Sequence, residues 1–203
     1  MIISKYSILV DPLLRKLRLY LVSFSGIKKG DKVLDVCCGT GEQVFSYGKK
    51  GATAIGIDIR KEIIKVAKAQ KEKKRLKGVS FMVTDAQKLP LESNSLDFAS
   101  ICLGLHEMGQ ESRDNVISEM KRVVKRDGYL IFVDFKSPLP KTIFSFFLRV
   151  IERLAGKENF RYFKNYLANG GLPELLKKNN LEIEKKSELI KGLFLIIKAK
   201  VIL

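Results

Sequence analysis

Three short acids stand where apolar runs give way to turns, and they are the residues of this sequence best placed to bind a ligand. Asp35 lies in the run from Lys32 to Cys37, which leads into Gly39-Thr40-Gly41. Glycines there let the backbone turn tightly and come close to a ligand, and the N-terminus of a helix starting at Glu42 favours a negative group such as a carboxylate. Asp58, in Gly56-Ile57-Asp58-Ile59-Arg60, can accept both hydroxyl hydrogens of a ribose diol, and Ile59 offers an apolar face to a base. Asp85, in Thr84-Asp85-Ala86, can accept from an exocyclic amine. Structural roles compete with these: an N-cap for the helix beginning near Lys61, and an ordinary Asx turn at Asp85.

Several nucleotide cofactors share such features. A dinucleotide fingerprint would carry a third glycine three positions after Gly41, where Val44 stands; its absence argues against a pyrophosphate. No Gly-Lys-Ser/Thr follows at the spacing of a phosphate loop. Cys37 and Cys38 read as small residues supporting the turn and Cys102 as core. The cysteines and the single histidine, His106, show no metal-binding spacing, so no metal is expected.

The elements that must position these residues alternate. Near-continuous apolar runs predict buried strands over Lys32 to Cys37, Thr53 to Ile57, Val79 to Thr84, Leu96 to Leu103 and Tyr129 to Asp134. Helices are expected over Glu42 to Lys49, Lys61 to Leu76 and Ser112 to Lys125, the last ending before an Asp127-Gly128 turn. Within Lys61 to Leu76, the residues Ile63, Ile64, Val66, Ala67 and Leu76 supply a buried stripe. Strands from Leu181 to Leu189 and Leu193 to Ile202 are separated only by about Lys191-Gly192, too few residues for a crossover helix, so a closing hairpin is required. One α/β domain is expected over residues 1–203, with an N-terminal helical segment within residues 1–30 and an inserted helical lid over residues 138–179. In the first, Leu13, Leu14, Leu17 and Leu21 recur at helical spacing after Asp11 and Pro12; in the second, Phe144, Phe147, Leu148 and Ile151 do likewise, followed by a break at Asn169-Gly170-Gly171 and a short helix from Pro173.

The 203 residues carry 38 Lys and Arg against 22 Asp and Glu, a formal charge of +16. Such a balance favours anionic partners: nucleic acid, phospholipid headgroups or acidic metabolites. Between Arg60 and Lys77 the basic residues face only Glu62 and Glu72, which reads as a solvated helix face. Apolar runs are too short to span a bilayer and charges interrupt the N-terminal one, so a cytoplasmic protein is expected.

Five segments carry a resemblance: VLDVCCGTG (Val33 to Gly41), GIDI (Gly56 to Ile59), DAQKLP (Asp85 to Pro90), LDFASICLGLHEM (Leu96 to Met108) and RVVKRDGYLIFVDF (Arg122 to Phe135). Through them the chain resembles the class I S-adenosylmethionine-dependent methyltransferases, especially the small-molecule group that includes the ubiquinone and menaquinone C-methyltransferases, from about Tyr6 to Phe135. The resemblance implies a Rossmann-like, seven-stranded, mostly parallel sheet of order 3-2-1-4-5-7-6, strand seven antiparallel, with helices on both faces. It implies S-adenosyl-L-methionine as cofactor and S-adenosyl-L-homocysteine as product, the methionine end over Asp35, Cys37, Gly39, Thr40 and Gly41. Ribose would lie on Asp58, adenine near Ile59, Asp85 and Ala86, and Leu103 beneath the sulfonium. His106 falls where the family places its acceptor pocket and is the candidate base if the acceptor must lose a proton.

The Asp/Asn-Pro-Pro-aromatic signature of many nucleic-acid amino-methyltransferases is absent, since Leu103-Gly104-Leu105-His106 occupies its place. From Lys141 to Phe163, aromatics interleave with Lys141, Arg149, Arg153, Lys157 and Arg161. This segment is expected to cap the acceptor with its apolar face packed on the sheet, and a basic amphipathic helix can also rest on an anionic membrane. The expected activity is methyl transfer to a small-molecule acceptor that is apolar, quinone-like or lipid-like. RNA methylation through the basic surface and a cofactor-binding module without turnover are the alternatives.

Overall fold

The computed structural model describes residues 15–201. Of the expected N-terminal helix, Pro12 to Leu14 lie outside the described residues, and residues 15–25 form helix α1. Seven strands follow: β1 (Lys32–Val36), β2 (Thr53–Asp58), β3 (Val79–Val83), β4 (Leu96–Cys102), β5 (Val124–Phe135), β6 (Leu181–Leu189) and β7 (Phe194–Val201). They form one sheet of order β3-β2-β1-β4-β5-β7-β6. The first five run parallel to one another, and β7 is antiparallel both to β5 and to β6, the latter as the short β6–β7 connection requires.

Helices α2 (Glu42–Lys49) and α3 (Lys61–Lys74) join α1 on one face. Leu17, Leu21, Val44, Phe45, Ile64 and Ala67 there pack on Val33, Ala54, Ile131 and Ile196. The other face carries α4 (Gln110–Val123), α6 (Lys157–Ala168) and α7 (Gly171–Lys178), whose Val116, Ile117, Phe163, Tyr166 and Leu176 cluster with Leu34, Leu130, Phe132 and Ile197. Adjacent residues such as Leu130 and Ile131 go to opposite cores, the period-two alternation of a sheet covered on both sides. Helix α5 (Ile143–Leu154) precedes α6. The edge strand β6 is charged along most of its exposed length, with Glu182, Glu184, Lys185 and Lys186, which discourages further strand pairing.

Three expectations change. The Asp127-Gly128 turn lies inside β5, because β5 pairs with β4 at both Leu96↔Val124 and Phe98↔Tyr129, leaving the intervening residues as a bulge. In α3 only Ile64 and Ala67 are buried, while Val66 is exposed; the helix meets the sheet along a narrow seam. The inserted segment forms three helices rather than one and a short second. The apolar residues Phe144 and Phe147 of α5 face outward instead of packing on the sheet, and Ser145, Leu148 and Glu152 turn inward. Among the described residues, no helix is long and apolar enough to cross a membrane.

Candidate active site

The turn after β1 is fastened to β2. The Cys38 amide donates to the Ile57 carbonyl at 2.8 Å, and the Gly39 amide donates to Asp58 Oδ2 at 3.1 Å. Gly41, the residue before α2, has φ +86°, and a Cβ there would lie 2.5 Å from the Phe81 ring, so both backbone and packing demand glycine. A Cβ on Gly56 of β2 would stand 2.8 Å from Val44 Cγ2. The close helix–strand approach that a dinucleotide helix draws from its own third glycine is therefore made here by a glycine on the facing strand.

The strand ends open on a cleft of about 520 Å³. Of the sequence-predicted site residues, Cys37, Asp58, Ile59, Asp85, Ala86 and Leu103 line it. Ile59 is 66% exposed there, an apolar side chain beside a carboxylate. Gly39, Thr40 and Gly41 form the turn beyond the lining, and Asp35 lies beneath it, buried, accepting from Ser100 Oγ at 2.6 Å. Burial pushes the Asp35 carboxyl up to about 7, against the Ser100 hydrogen bond and the charge of Arg18.

Asp58 does not cap α3; that position is Arg60, and no side chain bonds the helix start. The Asp58 carboxylate instead accepts from the Arg60 amide, the Arg60 guanidinium and the Gly39 amide. Burial acts to raise its pKa, and these donors outweigh it, holding the group below the usual carboxylate range. Asp85 does make an Asx turn, accepting from the Gln87 amide at 2.9 Å, yet still lines the cleft. Cys37 and Leu103 both hold left-handed backbone, φ 56° and 57°. Burial and the carboxylates of Asp58 and Asp35 push the Cys37 thiol up to about 12, and burial raises Cys38 and Cys102 as well, so none of the three is a ready thiolate at neutral pH.

The structure turns His106 away from the cleft. Its ring is buried among Phe135, Phe163 and Tyr166, with Nδ1 2.6 Å from Asp134 Oδ1 and Nε2 3.8 Å from Glu152 Oε1. Burial alone would lower its pKa; the charge and hydrogen bond of Asp134, with Glu152 and Glu107 beyond, raise it to about 9. His106 is thus an imidazolium at neutral pH. Its acid partner, Asp134, lies 28 residues along the chain, at the end of the adjacent strand.

The carboxylate on the far side of the cleft is Glu107, exposed and next to His106 in the short 3-10 turn Leu105–Glu107. Met108 and, from α6, Asn159 and Tyr162 complete that side. Arg113 of α4 joins the pieces: buried, it donates to the Leu105 carbonyl at 2.8 Å, the Tyr162 carbonyl at 2.8 Å and Asn165 Oδ1 at 3.0 Å. Sequence reasoning missed Arg60, Glu107 and Asn159, and reached Tyr162 only as one aromatic of the segment expected to cap the acceptor. The first two neighbour recognised positions; the i, i+3 spacing of the last two marks a helix face without saying what it faces. Among the described residues, no cluster of His, Cys, Asp and Glu could hold a metal ion.

The family model of a methyltransferase domain matches residues 27–185. A demethylmenaquinone methyltransferase of Oceanobacillus iheyensis is 31% identical over 146 residues, which cover 69% of this chain and 60% of that protein. The chain thus spans about 60% of the length of the curated relatives it matches. Among solved structures, a SAM-dependent methyltransferase from Aquifex aeolicus superposes with TM-score 0.70 at 22% identity, over 98% of each chain. The [4+2]-cyclase SpnF superposes with TM-score 0.71 at 17% identity, over 92% of this chain and 80% of its own. Likenesses this distant show a shared fold, which alone does not dictate the reaction. By the domain match, the strand order and the glycine turn, the chain belongs to the class I S-adenosylmethionine-dependent methyltransferases.

Proposed function

We propose that this protein transfers a methyl group from S-adenosylmethionine to a small apolar acceptor. The observation that carries the reading is the composition of one cleft. Asp58, Ile59, Asp85 and Ala86 line its nucleoside side, and Leu103, Glu107, Met108 and Tyr162 line the other. The residues suit the cofactor: an ionised carboxylate for the ribose diol, an exposed isoleucine for the adenine face, and Asp85 with Ala86 for the adenine edge. The Asp35 to Gly41 turn would take the methionine end, and Leu103 the sulfonium side. When bound, the cofactor supplies an already activated methyl group, so the protein's task is chiefly orientation.

Two residues divide the work first expected of His106. Glu107 reaches the cleft and would take a proton from an acceptor that must lose one. His106 acts as a positioning residue: its amide and ring both bond Asp134, which holds the turn that presents Glu107 and Met108. Leu103, Met108 and the Tyr162 ring, set among the polar Glu107, Ser112 and Asn159, support a quinone-like substrate with an apolar ring and polar oxygens, and the relative from Oceanobacillus is named for demethylmenaquinone.

The test is transfer of label from methyl-labelled cofactor to a demethylmenaquinone with a short side chain, alongside calorimetry with S-adenosylhomocysteine. Labelled quinone is expected. Cofactor binding without labelling of any quinone or lipid extract would overturn the acceptor class, and absence of cofactor binding would overturn the site.

A further inference from the structure

Helix α5 carries its apolar face away from the protein. Ile143, Phe147, Val150 and Leu154 recur at spacings of four, three and four, which puts them on one stripe. With Phe146 beside them they are 40 to 73% exposed, while Ser145, Leu148 and Glu152 face inward. An exposed apolar stripe of this kind is an interaction surface rather than an incidental feature. The exposed charges of α5 and of the residues just before it all have one sign; Glu158, which opens α6 after Lys157, is paired with Arg161. Lys141, Arg149, Arg153 and Lys157 are exposed around the stripe, and the sole carboxylate of α5, Glu152, is buried against His106.

We propose that α5 docks on an anionic phospholipid bilayer, its phenylalanines and aliphatics in the headgroup boundary and its cations on lipid phosphates. Apolar burial and attraction to anionic lipid act together in such helices. The chain's +16 charge works in the same direction. A second copy packed on this stripe would set Arg149 and Arg153 near their own counterparts, and a polynucleotide would leave Ile143, Val150 and Leu154 in water. The surface leads directly to the cleft, because α5 runs into α6, which supplies Asn159 and Tyr162 to its lining. A docked α5 therefore holds the acceptor side beside the lipid phase. Only this last step rests on the proposed acceptor; docking itself requires no turnover.

The test is flotation of the full 203-residue chain with vesicles of phosphatidylcholine alone or mixed with phosphatidylglycerol. Flotation is expected with the anionic vesicles only, decreasing as salt is added. The double variant Phe146→Ser/Phe147→Ser should bind these vesicles roughly tenfold more weakly. Its unfolding midpoint and affinity for S-adenosylhomocysteine should match the parent, since both side chains are exposed. The proposal is overturned if the parent does not float with anionic vesicles, or if the variant floats equally well. It is equally overturned if the same substitutions abolish a dimer or RNA binding instead. Failure to float with methyl transfer intact removes this proposal and leaves the proposed function standing.

Discussion

Arg60 lies across the carboxylate of Asp58, its Nε 3.0 Å from Oδ1 and its Nη2 3.1 Å from Oδ2. These are the oxygens that a ribose diol would need. The Arg60 side chain is more than half exposed, so the pair is weakly held and can yield to a ligand.

Two opposite outcomes follow for cofactor binding. Asp58→Ala should weaken S-adenosylhomocysteine binding by about a hundredfold, the loss of charge-assisted hydrogen bonds. Arg60→Ala should strengthen it about threefold, because the competing donor is an exposed ion pair of small value. Calorimetry on both variants decides; unchanged affinity in Asp58→Ala would remove the ribose assignment.

The buried His106 should make stability depend on pH. Its pKa is raised from 6.5 to about 9 in the folded state, so its contribution is complete below pH 6.5 and lost as the pH rises through about 9. The full effect is on the order of 3 kcal/mol. Urea unfolding of the parent should show stability falling over this range, and His106→Gln should flatten that part of the profile. Parallel profiles for the two proteins would contradict the ion pair with Asp134.

Arg113→Met tests the tie between the 3-10 turn and α6. Removing the guanidinium takes one donor each from the carbonyls of Leu105 and Tyr162 and from Asn165 Oδ1, although the Leu105 carbonyl keeps the Met108 amide at 3.2 Å. A loss of about 3 kcal/mol is expected in chemical denaturation, the cost of three charge-assisted hydrogen bonds removed from a buried site. A midpoint equal to the parent's would show that the three contacts contribute nothing net.

Glu107→Gln separates binding from proton transfer. Within the proposed function, it should lower the methyl-transfer rate about a hundredfold for an acceptor that must be deprotonated. Cofactor affinity should be unchanged, and the remaining rate should lose its dependence on an acidic group in the pH profile. A variant of parental rate would leave positioning alone to carry the reaction.

Local order made much of this legible in the sequence. Continuous apolar runs mark strands covered on both faces, and the glycine turn, Asp58 and Asp85 sit at strand ends, where chain direction alone puts them at one edge of a parallel sheet. The short connection near Lys191 forces β6 and β7 to pair as a closing hairpin, and it is the pairing of β7 with β5 that makes β7 the strand running against the sheet. The bulge at Asp127-Gly128 was not legible, because a turn dipeptide and a bulge carry the same residues, and only pairing of both flanks with β4 separates them.

Contacts between distant segments were decided by the tertiary structure alone. The register Cys102↔Val133 brings the ends of β4 and β5 side by side, which sets Asp134 under His106 and makes the imidazole a buried cation rather than a base in the cleft. Helix α5 packs over the same site. Its periodicity announced an amphipathic helix but not which face is covered; Glu152 turns inward toward His106, and the phenylalanine stripe is carried outward. A helical period records that two faces differ, whereas the side that is buried depends on what the rest of the chain sets beneath it.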